Sequence, residues 1–451
     1  MDIGTLLSGL VGVDGSGGSP NTPHGPQRRL VIVVRADPVI CGHSGEARNL
    51  AEAALNRGFT EVKIVTWPIE RLIATGLPLK PLDGVLPYIE GIEVERPGPV
   101  GDYKVPDGRY LSGLIGRLVE LFTDGVPTVA MSLYLSPHTI AVSDAVRVAR
   151  ETGLNVDVIT VAEAVGSDVT NVVRSCVEEE KFGSAAHVLT AYLNSDVPVA
   201  VSEYTRQLII SSAELIDARH GTRFAARCRE RVKISYPAIN TADYLDLDAG
   251  RFAETLAARG LQRDRYVLYL SRLAHAKGVD DLIAGFAQSV EARRTILVIA
   301  GNGPQAAELR ALAATSEAAD RIVFLDDVDD EEKPYLMAGS AAFVLPSKPR
   351  PEFVETFGIA LVEKMLAGGG PVITTDTGGI AEAVGDTALI VGVEDPAAIA
   401  VALNEALAMP EAEREVMELR AREHALQFDR QRVFDVLLAR VDTPVAELTA
   451  I

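Results

Sequence analysis

Short apolar runs alternate with amphipathic stretches along most of this chain. Residues 30–34 (LVIVV) have the β-branched content of a buried strand, and residues 62–67 resemble them. Residues 45–57 between them repeat apolar positions about every 3.6 residues and end at Gly58, which predicts a helix. The same pattern predicts further elements in this half: strand 128–132, helix 143–152, strand 156–161 and strand 197–201. Such alternation is typical of a parallel sheet covered by helices on both faces.

A second series follows residues 236–244, a proline-containing stretch without clear periodicity. Its predicted elements are strand 266–269, helix 278–289, strand 295–300, helix 305–315, strand 322–325, strand 342–345, helix 358–367, strand 371–374 and helix 396–408. The fold class predicted is therefore α/β, with two Rossmann-like doubly wound parallel-sheet domains facing each other across a cleft.

The predicted domain boundaries follow from these two series. Residues 28–240 and 241–427 form the two domains, and the Gly-, Ser- and Pro-rich residues 1–27 form a flexible tail. The segment 428–451 holds a last helix at 430–441, which can cross back to the first domain. A length of 451 residues suits two domains better than one.

Charge and cysteine content narrow the functional classes. Lys and Arg number 43 against 63 Asp and Glu, so the net charge of −20 disfavours nucleic-acid or anionic-membrane partners. Three widely spaced cysteines lack the spacing of a disulfide framework or zinc site. No apolar run is long enough to span a bilayer, and no secretory signal precedes the first strand. The expectation is a soluble cytoplasmic protein, with homo-oligomerisation left open.

The most informative segment is PEFVETFGIALVEKMLAGGG at 351–370. Glu355 lies just before the predicted helix and Glu363 one to two turns inside it. Free N–H groups of a first helical turn attract anions, and carboxylates accept paired hydrogen bonds from vicinal hydroxyls. A bare pair of glutamates at this spacing is common on ordinary surface helices. The surrounding FGIALVEKMLAGG, followed by PVITT and TGGIAEAV, makes this pair specific.

This segment resembles the family 4 retaining glycosyltransferases, whose GT-B fold has two facing Rossmann-like domains. The resemblance covers residues 29–427 and is richest in motifs over 266–385. It implies that Glu355 binds the hydroxyls of a donor sugar and Glu363 those of a ribose. Backbone amides around Thr356, Phe357 and Gly358 would meet sugar or phosphate.

Basic residues follow the first strand of the second series, in LSRLAHAKGV at 270–279. A departing diphosphate needs positive charge, which Arg272 offers as a fork and Lys277 as a mobile point charge. The resemblance implies that these two residues bind the diphosphate. A plain solvated turn is the alternative, and His275 between them is expected to face solvent.

Three further loops complete the predicted donor site. By the same resemblance, Gly303 in the turn GNGP lies near the nucleotide, and the base lies near residues 327–328, at Val328. In the first domain, Gly42 and Gly45 of CGHSG would let the backbone approach the diphosphate and the acceptor. An ordinary turn explains CGHSG equally well.

His138, after the strand at 128–132, is the remaining catalytic candidate. The order LSPHTIAVSDAV resembles the sucrose-phosphate-synthase-like branch, in which a polar residue here reaches the donor sugar. That branch has a His-Ser-type turn where this chain has AEAVG at 162–166, so the acceptor is not implied. A structural role for His138 is an equal alternative.

No metal or other cofactor is expected, since basic side chains and helix dipoles serve the diphosphate in the resembling family. The Asp-x-Asp spacing within 326–330 (DDVDD) is interpreted as helix-capping and solvated. The expected partners are a nucleoside-diphosphate sugar (UDP-, GDP- or ADP-linked) and a small-molecule acceptor. The predicted function is retaining glycosyl transfer. Two alternatives stay open, a nucleotide-sugar epimerase of the same fold and a non-catalytic nucleotide-sugar binding protein.

Overall fold

The computed structural model describes residues 27–77, 79–101, 108–351 and 353–442. The predicted tail at 1–27 therefore lies outside the described residues except for Gln27, as does the end of the predicted C-terminal segment beyond residue 442. The described strands form two sheets, and every strand pair in both is parallel.

The first sheet has seven strands in the order β3-β2-β1-β4-β5-β6-β7. These are β1 (Arg29–Val33), β2 (Glu61–Val65), β3 (Ile92–Glu95), β4 (Thr128–Leu133), β5 (Val158–Ala164), β6 (Val197–Ala200) and β7 (Lys233–Ile234). Its helices are α1 (Gly42–Asn56), α2 (Ile69–Ala74), α3 (Gly108–Thr123), α4 (Ile140–Glu151), α5 (Ser175–Glu178), α6 (Phe182–Asn194), α7 (Glu203–His220) and α8 (Phe224–Arg231).

The second sheet has six strands in the order β10-β9-β8-β11-β12-β13. These are β8 (Tyr266–Leu270), β9 (Ile296–Ala300), β10 (Ile322–Leu325), β11 (Ala342–Leu345), β12 (Val372–Thr375) and β13 (Leu389–Val391). The helices are α9 (Ala242–Leu245), α10 (Ala249–Ala258), α11 (Val279–Gln288), α12 (Ala306–Thr315), α13 (Lys333–Gly339), α14 (Ile359–Ala367), α15 (Ile380–Val384), α16 (Pro396–Ala408), α17 (Glu411–Ala425) and α18 (Arg430–Val441).

Both sheets have apolar strands buried on two faces, as the continuous apolar runs predict. All five residues of β1 are buried, and one large core cluster surrounds β8, β9 and β11. The predicted fold class, two parallel-sheet α/β domains, is confirmed.

The last helix, α18, packs on the first sheet although the chain enters it from the second. Phe434 of α18 contacts Phe59 with ring centroids 5.7 Å apart, and Val433 and Leu437 join the same core. Burial of these apolar side chains holds the end of the described chain against α1.

Two predicted boundaries are wrong for reasons that matter at the site. The helix predicted to begin at Gly45 begins at Gly42, so Gly42 and Gly45 lie in the first turn of α1 rather than in a loop. The strand predicted to end at Val161 continues to Ala164, which brings Glu163 into β5. Local sequence predicts that a buried strand ends before a glutamate, because a buried carboxylate is costly. The contacts that allow Glu163 to be buried come from distant parts of the chain.

Candidate functional site

In each sheet, the strand order reverses between two neighbouring strands, β1 and β4 in the first and β8 and β11 in the second. Open parallel sheets form their ligand crevice at the carboxyl ends of the strands flanking such a reversal. The segment after β8 carries Arg272 and Lys277, and the segment after β11 carries Glu355. The topology therefore brings these three predicted residues to one crevice.

Lys277 and Glu355 form an ion pair between Nζ and Oε2. Their side chains are only 9% and 11% exposed, so solvent screens the pair weakly. The Phe353 ring lies beside both cations, 4.9 Å from Lys277 Nζ and 5.7 Å from Arg272 Cζ. One aromatic side chain thus holds both predicted diphosphate ligands near each other.

Arg272 is exposed, and among the described residues its guanidinium has no hydrogen-bond or ion-pair partner. Its backbone is held instead, because its carbonyl accepts a 2.9 Å hydrogen bond from Tyr269 Oη. An anchored backbone with a free guanidinium suits recognition of an anion. His275, two positions before Lys277, is exposed as expected and contacts the Gln305 amide.

The turn containing Gly303 packs directly on the Arg272 segment. Leu273 N–H donates to the Asn302 carbonyl at 2.9 Å, and Gln305 N–H donates to the Leu273 carbonyl at 3.2 Å. A Cβ at Gly303 would overlap the Leu273 carbonyl, so only glycine allows this approach. Gly303 therefore shapes the loop that presents Arg272.

The residues before α14 are positioned by contacts on both sides of the cleft. The Thr356 hydroxyl donates to the Val165 carbonyl of the first domain at 3.1 Å. The Phe357 side chain is buried against Phe428, with ring centroids 4.9 Å apart. A ligand at this position could therefore contact only the backbone of Phe357. Gly358 directly precedes the helix with a left-handed φ of 101°.

Glu363 lies in the second turn of α14 and has a different partner from Glu355. Its Oε1 accepts from Lys333 Nζ at 2.7 Å, and the Tyr244 ring lies 5.7 Å from that nitrogen. Despite desolvation, Glu363 and Tyr244 keep the pKa of Lys333 well above its usual value. The two glutamates of the predicted pair are thus each held by a separate lysine.

Val328 follows β10, half-buried against the second core. The acidic side chains around Val328, at residues 326–330, form separate contacts on the protein surface. Asp329 Oδ1 accepts from the amides of Glu331 and Glu332 at 2.9 and 2.8 Å, and Asp327 pairs with Arg259 at 2.8 Å. Asp329 thus caps the turn before α13 and not the helix itself, because the N-cap residue of α13, Glu332, makes no side-chain cap.

In the first domain, α1 begins against α14 of the second domain. A Cβ built on Gly42 would lie 3.1 Å from Ile359 Cδ1. The first turn of α1 and the first turn of α14 therefore face each other across the cleft, with the N–H groups of both turns near the interdomain space.

His138 is completely buried, with 1% exposure, and both of its ring nitrogens are used. Nδ1 contacts the Leu133 carbonyl at 2.7 Å, and Nε2 accepts from Trp67 Nε1 at 3.2 Å. Burial lowers the pKa of His138 to about 4, so its imidazole is neutral. The structure thus places His138 beneath the crevice surface.

The sequence analysis did not identify several polar groups at or near the carboxyl ends of the strands of the first sheet. Arg35 directly follows the predicted strand 30–34, and its Cζ lies 4.8 Å from the ring centroid of Tyr134 after β4. Its position immediately after a buried strand was the available signal. Glu46 and Glu163 were also missed, because the contact between α1 and β5 is invisible in local periodicity.

The two domains contact each other through polar groups besides the cleft residues. Glu382 of α15 accepts hydrogen bonds from the backbone amides of Glu203 and Tyr204 at 2.8 and 3.2 Å. These amides open helix α7 of the first domain, so a carboxylate of one domain caps a helix of the other. Lys80 and Asp330 add an ion pair of 2.6 Å.

In the part of the chain that the structure describes, no helix is both long and apolar enough to cross a membrane. Across the same residues, no group of three or more His, Cys, Asp or Glu side chains is placed to hold a metal ion.

Comparison with known protein families places this site in context. Residues 254–424 match the family model Glycosyl transferases group 1. The GDP-mannose-dependent alpha-(1-6)-phosphatidylinositol monomannoside mannosyltransferase of Mycolicibacterium smegmatis is 34% identical over 178 residues, which are 36% of this chain and 46% of that protein. The N-acetyl-alpha-D-glucosaminyl L-malate synthase of Bacillus anthracis is 30% identical over 175 residues, 38% of this chain and 44% of that protein. The chain thus spans about half the length of these relatives.

Solved structures extend the likeness of fold to both domains. Anabaena HepE in complex with UDP-glucose has a TM-score of 0.66 at 17% identity, over 92% of this chain and 100% of that one. Sucrose-phosphate synthase from Thermosynechococcus elongatus has a TM-score of 0.62 at 20% identity, over 92% and 98%. These neighbours have the GT-B fold. Residues 254–424 are therefore similar to a glycosyl transferases group 1 domain, and the two parallel-sheet domains share the GT-B arrangement of these solved neighbours.

Proposed function

We propose that this protein transfers a sugar from a nucleoside-diphosphate sugar to a small-molecule acceptor, with retention of the anomeric configuration. The observation that carries the proposal is the cluster at the crevice of the second sheet. There, the Lys277–Glu355 ion pair lies beside an unpaired Arg272, just before helix α14. Positive charge for a diphosphate and a carboxylate for sugar hydroxyls are thus next to each other.

The diphosphate is assigned to Arg272 and Lys277. As the bond from sugar to phosphate breaks, negative charge grows on the leaving oxygen, and fixed cations in a water-poor cleft stabilise it. The Arg272 guanidinium can donate two parallel hydrogen bonds to a phosphate. The Lys277 ammonium is held near Arg272 by its ion pair with Glu355 and its contact with the Phe353 ring.

The sugar and the nucleoside are assigned to the remaining predicted residues. Glu355 and the backbone amides around Thr356, Phe357 and Gly358 would bind sugar hydroxyls and phosphate, with Glu363 on the ribose. The 2.7 Å ion pair with Lys333 would orient the Glu363 carboxylate for that role. Gly303 and Val328 would border the nucleotide, and the first turn of α1 at Gly42 and Gly45 would face the diphosphate and the acceptor.

The proposed transfer needs no protein nucleophile. The acceptor would attack from the face that the diphosphate leaves, and Glu355 and nearby backbone dipoles would stabilise the positive sugar centre. Cationic side chains and the N-terminus of α14 would do the work that a divalent metal does in other transferases. His138 is proposed as a positioning residue, since its neutral ring ties the segment after β4 to Trp67.

The donor's identity is open to a direct screen. The mannosyltransferase relative is named for GDP-mannose, and the HepE structure contains UDP-glucose. UDP-, GDP-, ADP- and dTDP-sugars are therefore compared by thermal shift, because a bound ligand raises the melting temperature by mass action. We expect one nucleotide class to stabilise the protein well above the others.

Activity is tested by incubating the protein with that donor, with and without an acceptor panel of sugar phosphates, polyols, hydroxy acids and thiols. We expect nucleoside diphosphate release that depends on the acceptor. A new nucleotide sugar formed without acceptor would replace the proposal by an epimerase. Tight donor binding without release on any acceptor would replace it by a binding protein.

Arg272→Ala tests the assigned role of the free guanidinium. Loss of one preorganised group that stabilises developing negative charge costs about 10²- to 10³-fold in turnover, so we expect kcat/KM to fall by that order. Arg293→Ala is the matched control, because Arg293 is an exposed arginine of the same domain. Near-normal turnover in Arg272→Ala would remove Arg272 from the mechanism.

A further inference from the structure

Arg35 lies at the crevice of the first sheet, opposite the proposed donor site. It follows β1, and its guanidinium stacks on Tyr134, which follows β4. β1 and β4 are the two strands between which the strand order of the first sheet reverses. The same topological rule that locates a ligand at Arg272 in the second sheet locates one at Arg35 in the first.

The Arg35 guanidinium is half-buried and has no carboxylate partner within the described ranges of the chain. Half-buried arginines elsewhere in the described residues bind an acid, as Arg48 does with Asp37 at 2.9 Å, or a backbone carbonyl, as Arg440 does with Ile234 at 2.7 Å. The Arg35 guanidinium has neither kind of contact within these residues. The positive charge of Arg35 is therefore available to bind an anion of a ligand.

The titratable neighbours of Arg35 do not neutralise it. Burial, reinforced by the charge of Arg35, lowers the pKa of His43 to about 3. His138 is neutral as well, with both nitrogens bonded within the fold. His43, His138 and the Tyr134 ring near the guanidinium therefore carry no negative charge that would pair with it.

The first turn of α1 adds donors at the same edge. Its N-cap residue, Cys41, makes no side-chain cap, and no acidic residue lies in the first turn of this 15-residue helix. Ser44 in that turn is 3% exposed, and its hydroxyl has no hydrogen-bond partner among the described residues. The helix N-terminus thus lacks the anion that its dipole and free N–H groups favour.

We propose that Arg35, beside the first turn of α1, binds an anionic oxygen group, a phosphate or carboxylate, carried by the acceptor. This inference rests on the proposed function and adds the chemical class of its acceptor. The proposed ligands of the donor diphosphate are Arg272 and Lys277 of the second domain. Arg35 of the first domain is therefore proposed to bind the acceptor. An acceptor anchored by its charge would present a hydroxyl to the sugar across the cleft.

The test uses the full chain saturated with the nucleoside diphosphate that stabilises it, so that the donor's phosphate site is filled. Inorganic phosphate and malonate are then titrated by calorimetry. We expect saturable binding that Arg35→Gln weakens at least tenfold and that Arg35→Lys partly restores. Gln is chosen because it keeps much of the side-chain volume over Tyr134.

Arg147→Gln is the matched control, since Arg147 lies on helix α4 and is 67% exposed. It should bind both anions like the natural protein, and all four proteins should bind the nucleoside diphosphate with similar affinity. Equal anion binding by Arg35→Gln and the natural protein, or no saturable binding at all, would overturn the inference. If the natural protein bound no nucleoside diphosphate, that result would instead count against the proposed function.

The source of the anion is separated by competition. Soluble phosphate esters and hydroxy acids are added to one series, and phosphatidylinositol vesicles to another, against phosphatidylcholine vesicles. Displacement by soluble compounds supports a metabolite acceptor, and displacement by anionic vesicles alone supports a lipid headgroup. If neither class displaces the probe ions, the site does not bind an acceptor and the inference is wrong.

Discussion

Glu46 and Glu163 bring two carboxyl groups together in the interior of the first domain. They are 3% and 1% exposed, and neither oxygen of Glu163 has a hydrogen-bond partner among the described residues if both carboxyls are ionised. Burial, followed by the charges of Glu46 and Asp168, raises the pKa of Glu163 well above its usual value. Burial also raises the pKa of Glu46 to about 8. A proton held between the two carboxyl groups satisfies both.

This pair predicts a pH-dependent stability. In the folded state the pair holds a proton up to about pH 8, whereas glutamate in the unfolded chain has a pKa of 4.5. The folded state therefore binds more protons between these values, and the pair's contribution to the free energy of unfolding falls as pH rises through that window. The slope is about 1.4 kcal/mol per pH unit for each proton taken up on folding.

Glu163→Gln removes the need for that proton, because the amide can itself donate to the Glu46 carboxylate. We expect the variant to gain stability relative to the natural protein as pH rises from 5 to 8. Urea denaturation at pH 5, 6.5 and 8 measures it, with the exposed Glu151→Gln as control. A stability difference that stays constant over this range would show that Glu163 takes up no extra proton on folding.

At the scale of elements, the turn before α15 supports the segment that carries Glu355. Gly379 N–H donates to the Glu355 carbonyl at 2.9 Å. Gly378 has a left-handed φ of 62°, and a Cβ built on it would overlap that same carbonyl oxygen. The orientation of the Glu355 backbone therefore depends on a glycine 23 positions later in the chain.

Gly378→Ala should displace the Glu355 segment and strain the turn. We expect a loss of stability of about 1–3 kcal/mol and weaker nucleotide binding. Gly116→Ala is the matched control, because Gly116 lies within helix α3 with open space around its Cβ position. That control should be stabilised by about 0.5–1 kcal/mol. Thermal melts with and without nucleotide measure both effects, and unchanged nucleotide binding in Gly378→Ala would separate this turn from the site.

At the scale of the whole molecule, Glu382 fixes one domain against the other. Its carboxylate caps the N-terminus of α7 through two backbone amides, and side-chain caps of this kind are worth about 0.5–2 kcal/mol. A contact of this size can shift the balance between closed and open domain arrangements by roughly 2- to 30-fold.

Glu382→Ala should therefore populate a more open arrangement. We expect a larger radius of gyration by small-angle X-ray scattering, together with a higher KM for the proposed nucleotide-sugar donor. Glu405→Ala, an exposed glutamate of the same domain, should leave both unchanged. If Glu382→Ala scatters like the natural protein, the remaining contacts, such as the Thr356 hydroxyl on the Val165 carbonyl, suffice to hold the domains.

Much of the fold could be predicted from local pattern. The predicted strands at 322–325 and 342–345 and the helix at 396–408 match β10, β11 and α16. Strands β7 and β13 were missed because they have two and three residues, too few to show a periodicity. Helix α3 was also missed, although its 16 residues carry a clear apolar stripe.

The geometry of the candidate site could be predicted only in part. Motif spacing led to Arg272, Lys277 and Glu355, and the structure brings these three together. That Glu363 pairs with Lys333 instead, and that both nitrogens of His138 are occupied, depends on residues 30 and 71 positions away. Local sequence carries no information about such partners.

The sequence by itself determined the two parallel sheets, because continuous apolar strands must be covered on both faces by the helices that alternate with them. It also determined the local motifs at the carboxyl ends of β8 and β11. Only the tertiary structure decided which charges are paired and which are free, as for Lys277 and Arg35. The physical reason is that the loops of a crevice come from strands that are neighbours in the sheet but distant in the chain.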